Sequence, residues 1–268
     1  MTTQNEKALA FRALHERDRA FIIPNPWDVG SARLLAKLGF EALATTSAGF
    51  AFSVGQRDNT VGRERMIEHV AQIAAATDLP VSADLENGFG DDAEACAETI
   101  RRGAEAGLVG GSIEDSTNGA PQSIYDIEHA VDRVRAAVEA ARACPFPFTL
   151  TARCENFLAG RRDLADTIHR LQRYQEAGAD VLYAPGLATK EDLAAVVRAV
   201  DRPVNALMMP KLSAQELSEI GVRRISVGGA LARAAYSTML DAAREMRDRG
   251  TFTFIEKAVS YRDLSEMF

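Results

Sequence analysis

Carboxylates are concentrated in two short segments of the chain, and each segment ends a run of apolar residues. VSADLENG holds Asp84 and Glu86 two positions apart, and SIEDS holds Glu114. Because side chains alternate along a strand, Asp84 and Glu86 are predicted to leave the same face and Leu85 the opposite one. Grouped carboxylates repel each other unless a cation lies among them, and oxygen ligands without thiolate or imidazole suit Mg2+ or Mn2+. We therefore predict a metal site held by Asp84, Glu86 and Glu114, with Glu114 also in catalysis; the alternative is acids that cap helices or pair with arginines.

A positive charge stands at a comparable position in the next apolar run. In TLTARCENF, Arg153 lies near the end of the run, and side-chain alternation places it on the same face as Thr151 and Glu155. A guanidinium binds a carboxylate through two parallel hydrogen bonds and stabilises an enolate oxygen. Arg153 is therefore predicted to bind an anionic substrate and to act in catalysis. An ion pair with Glu155 or Glu114 is the structural alternative.

Three further positions are candidates for contact with the same ligand. In ATTSAG, the small residues Thr46, Ser47 and Ala48 leave backbone N–H groups and hydroxyls free to hold a carboxylate, although such a segment is also typical of an ordinary turn. Asp58, in VGQRDN, falls in the loop after that segment, where a fourth acid could reach the metal through water and act in catalysis. Asn205, in PVNALMM, is assigned to substrate binding.

The elements that must position these residues follow a regular alternation. Short runs rich in Val, Ile, Leu and Ala are each followed by a longer segment with apolar residues at helical spacing, which is typical of parallel βα units. Several helical segments close with glycine, as at Gly39, Gly107, Gly178 and Gly221, where a helix needs a left-handed C-cap. Eight apolar runs occur, at 20–25, 41–47, 80–86, 108–115, 147–155, 180–185, 203–209 and 223–229.

Eight such units predict an α/β fold in which residues 1–268 form a single (β/α)8 TIM barrel with an N-terminal helix and a C-terminal helical extension. A doubly wound open sheet is the alternative, but it would usually carry a glycine-rich phosphate loop, and the sequence contains neither GxGxxG nor GxxxxGK[ST]. Barrels of this kind place their active sites at the C-terminal ends of the strands. Asp84, Glu114 and Arg153 all lie near the C-terminal ends of their runs, so the predicted fold brings them together.

Composition excludes several classes of function. The formal net charge is −7, and the arginine pairs lie among acidic residues, which argues against a nucleic-acid partner. No apolar run is long enough to span a bilayer, and the N-terminal segment is charged, so we expect no membrane partner and a cytoplasmic location. Three widely spaced cysteines fit neither a disulfide framework nor a CxxC site. The four histidines lie in helical segments, which argues against a zinc site or a histidine nucleophile relay.

The chain resembles the isocitrate lyase and phosphoenolpyruvate mutase superfamily from PNPWDVGSARLLAKLGFEAL to ISVGGALARAAY, nearly its full length. The motifs SADLENGFGD, SIEDS and TARCENF carry the resemblance. It implies Mg2+ bound by Asp84, Glu86 and Glu114, partly through water, with Asp58 in a nearby gating loop. It also implies a 2-oxo acid substrate, a C–C or C–P bond made or broken through a metal-stabilised enolate, and a homo-tetramer in which the C-terminal helical region packs against a neighbour.

In the same comparison, the substrate carboxylate is held by Arg153 and by the segment of Thr46, Ser47 and Ala48. The chain departs from the superfamily in three places. It has STNGAPQSIYD where lyase members carry a Lys-Lys/Arg-Cys-Gly-His loop, so the catalytic Cys is missing. The mutase loop with its Lys and Asn is shortened at the same place, although Asn118 could supply one amide. Tyr183 stands where relatives have His or Glu, and Glu86 replaces a more usual Asp.

These features predict a Mg2+-dependent lyase, decarboxylase or hydrolase that cleaves a C–C bond next to the 2-oxo group of a small 2-oxo acid. The first alternative is a phosphonopyruvate mutase or hydrolase that acts on a C–P bond. The second is a protein that binds a 2-oxo acid without catalysis, which the missing Cys would explain.

Overall fold

The computed structural model describes residues 2–117 and 123–268, so Asn118 lies outside the described residues. Within those residues eight short strands alternate with helices. Each strand falls inside one of the eight apolar runs. The strands are β1 (Phe21–Ile23), β2 (Leu43–Ala44), β3 (Val81–Asp84), β4 (Gly110–Glu114), β5 (Thr149–Arg153), β6 (Val181–Tyr183), β7 (Val204–Leu207) and β8 (Arg224–Ser226).

The helices lie before, between and after the strands. Helix α1 precedes β1, the helix α10 follows β8, and the two helical segments after α10 form the predicted C-terminal extension. Their bounds are α1 (Gln4–His15), α2 (Val29–Lys37), α3 (Ser47–Ser53), α4 (Arg63–Ala75), α5 (Ala93–Glu105), α6 (Ile127–Arg142), α7 (Leu164–Glu176), α8 (Lys190–Ala199), α9 (Ala214–Glu219), α10 (Ala230–Arg249), the 3-10 helix η1 (Thr253–Lys257) and α11 (Tyr261–Ser265).

All seven strand pairs are parallel, in the order β1-β8-β7-β6-β5-β4-β3-β2. The sheet closes at the seam, the junction between β1 and β2. There Ala44 N donates to Pro24 O at 3.1 Å, and Asn25 Nδ2 donates to Thr45 O at 3.0 Å. Asn25 Oδ1 also accepts from Val227 N and Gly228 N, which ties the chain after β8 to the same place. The prediction of a (β/α)8 barrel is confirmed.

Local sequence signals explain where the helices begin and end. Helix α1 starts with a capping box in which Thr3 and Glu6 satisfy each other's backbone N–H groups. The glycines predicted to end helices, at 39, 107, 178 and 221, all have φ between 86° and 104°, a left-handed conformation that costs a residue without Cβ little.

The main apolar core lies between the strands and the surrounding helices. Leu85 is fully buried there with Ile100 and Leu108, so the sequence prediction that it packs away from the barrel interior is confirmed. A second cluster closes the N-terminal end of the barrel around Phe11 and Phe21.

Within residues 2–117 and 123–268, no helix combines the length and apolar character needed to cross a membrane.

Candidate active site

A cavity of about 250 Å³ opens at the C-terminal ends of the strands. It brings together residues from the ends of β3, β4, β5, β6 and β7 and from the segments that follow β2, β5, β6 and β8. Its lining includes Thr46, Ser47, Ala48, Asp58, Asn59, Asp84, Glu114, Arg153, Glu155, Leu158, Tyr183, Pro185, Leu207, Gly228 and Gly229. Among these residues Arg153 is the one cation, and it faces four carboxylates.

Arg153 is the centre of an ion-pair cluster. Its Nη1 lies 3.4 Å from Asp84 Oδ1 and 3.2 Å from Glu114 Oε2, and its Nε donates to Glu155 Oε1. The Arg153 side chain is 17% exposed, whereas those of Glu114 and Glu155 are buried. Parallel register places Glu114 beside Arg153 and Arg153 beside Tyr183. The structure therefore shows the ion pairs that were the structural alternative for Arg153, and its role in binding an anionic substrate stays a prediction.

The segment after β2 folds as a short helix, not as the loop or turn that its composition suggested. Thr46 caps α3 by accepting a hydrogen bond from Gly49 N. A Cβ at position 49 would lie 2.6 Å from Thr46 Cγ2 and 2.9 Å from Trp27 Cβ, so only glycine lets the helix pack this closely. The Ser47 hydroxyl lies 2.8 Å from Asp84 Oδ2 and 3.1 Å from Asp58 Oδ1.

Asp58 thereby reaches the cavity, and its contact with a metal through water and its catalytic role stay predictions. Ser47 N also donates to Asp84 Oδ2, at 3.2 Å. The N–H and hydroxyl of Ser47, which were expected to meet a substrate carboxylate, thus meet the Asp84 carboxylate in this structure. Thr46 and Ala48 line the same cavity.

Glu86 lies apart from the other predicted metal ligands. Strand β3 ends at Asp84, and Glu86 has a φ of 50°, a left-handed conformation that breaks the alternation of side chains. The buried Glu86 side chain lines a neighbouring cavity with Asn87, Asp91 and Tyr125. The prediction that Asp84 and Glu86 leave one face was therefore wrong, because it extended strand geometry beyond the end of the strand.

Burial and charge shift the titration of the cluster. Burial raises the pKa of Glu114 to about 8, Arg153 opposes the rise, and Glu155 and Asp84 add to it. Burial also raises the pKa of Glu155, and it raises the pKa of Asp58, where the charge of Asp84 adds to the effect. Burial disfavours the charged form of Arg153, but its three acidic neighbours outweigh this and hold its pKa well above the usual range. Burial and the neighbouring acids thus favour the protonated form of Glu114, whereas a divalent cation bound there would favour the charged form.

The donor set suits a hard cation with few protein ligands. Within residues 2–117 and 123–268, no three His, Cys, Asp or Glu side chains are arranged to bind a metal ion directly. Mg2+ usually keeps several waters and takes one or two carboxylates, so Asp84 and Glu114 fit such an ion. Direct binding by Asp84, Glu86 and Glu114 together does not fit this arrangement.

The sequence analysis assigned no role in or near the site to three residues: Glu155, Tyr183 and Arg224. Glu155 was identified only as an ion-pair partner, yet it lines the cavity and bonds to Arg153. Tyr183 has its ring centroid 5.5 Å from Arg153 Cζ, and burial raises its pKa to about 12. Arg224 bonds to Asn205 inside the barrel, below the cavity that Asn205 was expected to line. The alternation of side chains along β5 could have indicated Glu155. The positions of Tyr183 and Arg224 depend on how the barrel closes.

The histidines and cysteines take no part in the site. His15, His69, His129 and His169 lie in helices, as predicted. Cys96, Cys144 and Cys154 are free thiols; Cys96 and Cys154 are buried and Cys144 is partly so, and none of the three lines the cavity.

Fold and site together define a barrel enzyme whose acids and arginine meet at the C-terminal strand ends. The chain belongs to the phosphoenolpyruvate phosphomutase family, whose model matches residues 11–247. The resemblance to the isocitrate lyase and phosphoenolpyruvate mutase superfamily is thus confirmed. Members of this superfamily cleave C–C or C–P bonds of 2-oxo acids, and the chain is an enzyme of the same lyase and mutase group.

Relatives resemble the chain over most of its length. A crystal structure of a Burkholderia cenocepacia protein, provisionally classed as a lyase/mutase, is 62% identical with a TM-score of 0.95, and the match covers 98% of this chain and 95% of that one. An uncharacterized protein of Mycobacterium tuberculosis is 33% identical over 90% of both chains. An oxaloacetate decarboxylase of Chromohalobacter salexigens is 28% identical over 92% of this chain and 87% of its own length.

Proposed function

We propose that the chain cleaves the C–C bond next to the 2-oxo group of a small 2-oxo acid in a Mg2+-dependent reaction, as a lyase, decarboxylase or hydrolase. The observation that carries the proposal is the position of Arg153 among Asp84, Glu114 and Glu155 at the strand ends. Four carboxylates and one guanidinium in a cavity of about 250 Å³ suit a divalent cation together with a small anion.

Asp84 and Glu114 are the proposed metal ligands, and Glu86, which faces the neighbouring cavity, would act through water. Bound there, Mg2+ would supply electrostatic stabilisation for negative charge on the substrate. The Ser47 hydroxyl lies between Asp58 and Asp84 and contacts both carboxylates. Asp58 is proposed to take part in proton transfer or water binding.

Arg153 is the proposed catalytic cation. When the carbon beside the carbonyl loses its leaving group, such as CO2, the electron pair of the broken bond stays on that carbon and is delocalised onto the oxo oxygen, where negative charge develops. A guanidinium donor directed at that oxygen binds the transition state more tightly than the ground state. Thr46, Ser47 and Ala48 lie at the edge of the same cavity, where they are proposed to hold the substrate carboxylate. Asn205 is proposed to contact the substrate from below.

Oxaloacetate is the first substrate to test, since a relative 28% identical over 92% of the chain is an oxaloacetate decarboxylase. Phosphonopyruvate is the alternative, because the matching family model describes a phosphomutase. The test measures turnover and thermal stabilisation with oxaloacetate, 2-oxoglutarate, pyruvate, oxalate and phosphonopyruvate, each with Mg2+ and with EDTA. We expect Mg2+-dependent turnover of a 2-oxo dicarboxylate and stabilisation by oxalate. Turnover of phosphonopyruvate alone would establish C–P chemistry, and turnover unaffected by EDTA would overturn the metal dependence.

An Asp84→Ala variant tests the metal ligand. It should remain folded but lose both Mg2+-dependent stabilisation and activity. The matched control is Asp92→Ala, since Asp92 is exposed and its side chain makes no capping bond to α5. Full metal-dependent turnover of Asp84→Ala would refute the assignment.

We also propose a cytoplasmic location. Its support is that the three cysteines are free, as expected in a reducing compartment.

A further inference from the structure

A second cavity lies inside the barrel, deeper than the candidate active site. It measures about 50 Å³ and is lined by residues from all eight strands. Polar side chains dominate its wall, whereas bulky branched residues usually fill the interior of such barrels. Its lining includes Ile23, Asn25, Ala44, Thr45, Ser82, Ala83, Asp84, Ser112, Arg153, Tyr183, Asn205, Arg224, Ser226 and Gly228.

Arg224 is the charged group that belongs to this interior. It is only 5% exposed. Its Nε donates to Asn205 Oδ1 at 2.8 Å and its Nη2 to Thr151 Oγ1 at 3.0 Å, and both partners are neutral. Its Nη1 is buried and has no hydrogen-bond acceptor among residues 2–117 and 123–268.

Two other largely enclosed arginines contact acids. Arg153 contacts three carboxylates, and Arg170 contacts Asp115 and Asp166. Arg133 donates to backbone carbonyls of the segment 87–92. Arg224 forms no ion pair with any described residue, and burial lowers its pKa to about 10, whereas that of Arg153 is raised.

A buried charge without a partner costs several kcal/mol, so proteins pair such charges or give them a bound counter-ion. Since a water molecule needs roughly 10 to 15 Å³ of this kind of space, the cavity has room for a small guest. Asp84 borders the cavity, but its two oxygens already contact Arg153 and Ser47. Among the described residues that line the cavity, Arg224 is therefore the cation that forms no ion pair with an acidic side chain.

We propose that the interior cavity is a binding site for a small monovalent anion of halide or formate size, with Arg224 Nη1 as the charged donor. Asn205, Ser226 and Tyr183 line the same space, where Asn205 Nδ2 donates to Ser226 Oγ at 3.0 Å. Asp84, Arg153, Tyr183 and Gly228 line both cavities, whereas Arg224 and Ser226 line the interior cavity and not the candidate active site. The anion site does not depend on the proposed reaction.

The first experiment measures Tm of the full chain at constant ionic strength, with chloride, bromide or formate replacing a large sulfonate buffer anion. The series is run with EDTA and again with saturating Mg2+, so that binding to a metal is separated from binding to Arg224. We expect a saturable rise of roughly 3 to 8 °C with the small anions in both series. Arg224→Met should abolish this rise. Arg223→Met, which removes a neighbouring arginine that binds Asp18 O near the surface, should retain it.

A bromide-soaked crystal of the wild-type protein gives a second measurement that does not depend on whether Arg224→Met folds. The expected result is an anomalous peak in hydrogen-bond contact with Arg224 Nη1. A water molecule at that position in the presence of bromide would overturn the proposal. Equal effects of small and large anions on Tm, or the same anion response in Arg224→Met, would overturn it as well.

Discussion

Ser47 contacts one carboxylate oxygen of Asp84 twice, through its backbone N–H at 3.2 Å and through its hydroxyl at 2.8 Å. The same hydroxyl lies 3.1 Å from Asp58 Oδ1, and its single proton can serve only one acceptor at a time. Ser47 therefore orients the proposed metal ligand and links it to a second acid whose pKa burial raises.

Ser47→Ala should weaken Mg2+ binding roughly tenfold, because hydrogen-bond partners of a metal ligand fix its orientation. Titration calorimetry with Mg2+ provides the measurement. The matched control is Ser53→Ala, which removes a hydroxyl of the same helix that bonds only to Phe50 O. Equal Mg2+ affinity in Ser47→Ala and wild type would show that the backbone N–H alone orients Asp84.

Arg153→Lys should lower kcat by on the order of a hundredfold, because lysine keeps the charge but loses the planar fork that stabilises the developing oxyanion. Mg2+ affinity should hold or improve, since a cation next to a metal site repels the ion. Measurement of kcat, KM and Mg2+ affinity for Arg153→Lys and Arg153→Ala tests this. The control is Arg142→Lys, at a surface pair with Asp180. An unchanged kcat with a modest rise in KM would reduce Arg153 to an ion-pair partner of Glu155.

Stability should fall on acidification because of buried histidines. His15 lies between the rings of Phe11 and Phe21, and burial lowers its pKa to about 3; burial also lowers the pKa of His69 to about 4. The unfolded chain, with a histidine pKa of about 6.5, then binds more protons than the folded chain. Stability is therefore full above about pH 6.5 and is lost as the pH falls toward 3 or 4, by about 2 kcal/mol for each histidine at pH 5.

Thermal unfolding at about pH 7.5 and about pH 5 checks this expectation. His15→Leu should show a smaller difference in Tm between the two conditions than wild type does. His169→Leu, at an exposed position on α7, should behave as wild type. A pH dependence that is the same in His15→Leu and wild type would contradict the assignment.

The predicted homo-tetramer can be tested on the C-terminal extension. Helix α10 and the residues after it expose large apolar side chains, among them Met239, Leu240, Phe252 and Ile255. Exposed apolar patches of this kind indicate a protein interface. Light scattering should give about four times the chain mass of 29.0 kDa, and Leu240→Glu should lower it. A monomeric mass at micromolar concentration would refute the prediction.

Periodicity in the sequence predicted the barrel because each strand lies inside a short apolar run and each connecting glycine keeps its C-cap conformation. Periodicity did not predict the structure correctly beyond the ends of the strands. Helix α3 depends on Gly49 fitting against Trp27 and Ala232, a contact between segments far apart in the sequence. Glu86 turns away because its φ is positive, which alternation cannot anticipate.

In the candidate site, the positions of Asp84, Glu114 and Arg153 were predictable, because they follow from the ends of parallel strands. The link from Asp58 through Ser47 depends on how a loop returns to the barrel. The interior position of Arg224 beside Asn205 depends on the register of two strands. Composition and spacing carry neither kind of information.

The seam between β1 and β2 also has a consequence for motion. These strands are joined by one backbone hydrogen bond, from Ala44 to Pro24, and by the side chain of Asn25, whereas the other neighbouring strands are paired by regular ladders. Proteins open first where few hydrogen bonds must break, so amide hydrogen exchange should be faster at the seam than elsewhere in the sheet. Thr45 lies at the seam and directly precedes Thr46 and Ser47. Transient opening of the barrel is therefore expected to start beside the segment that orients Asp84.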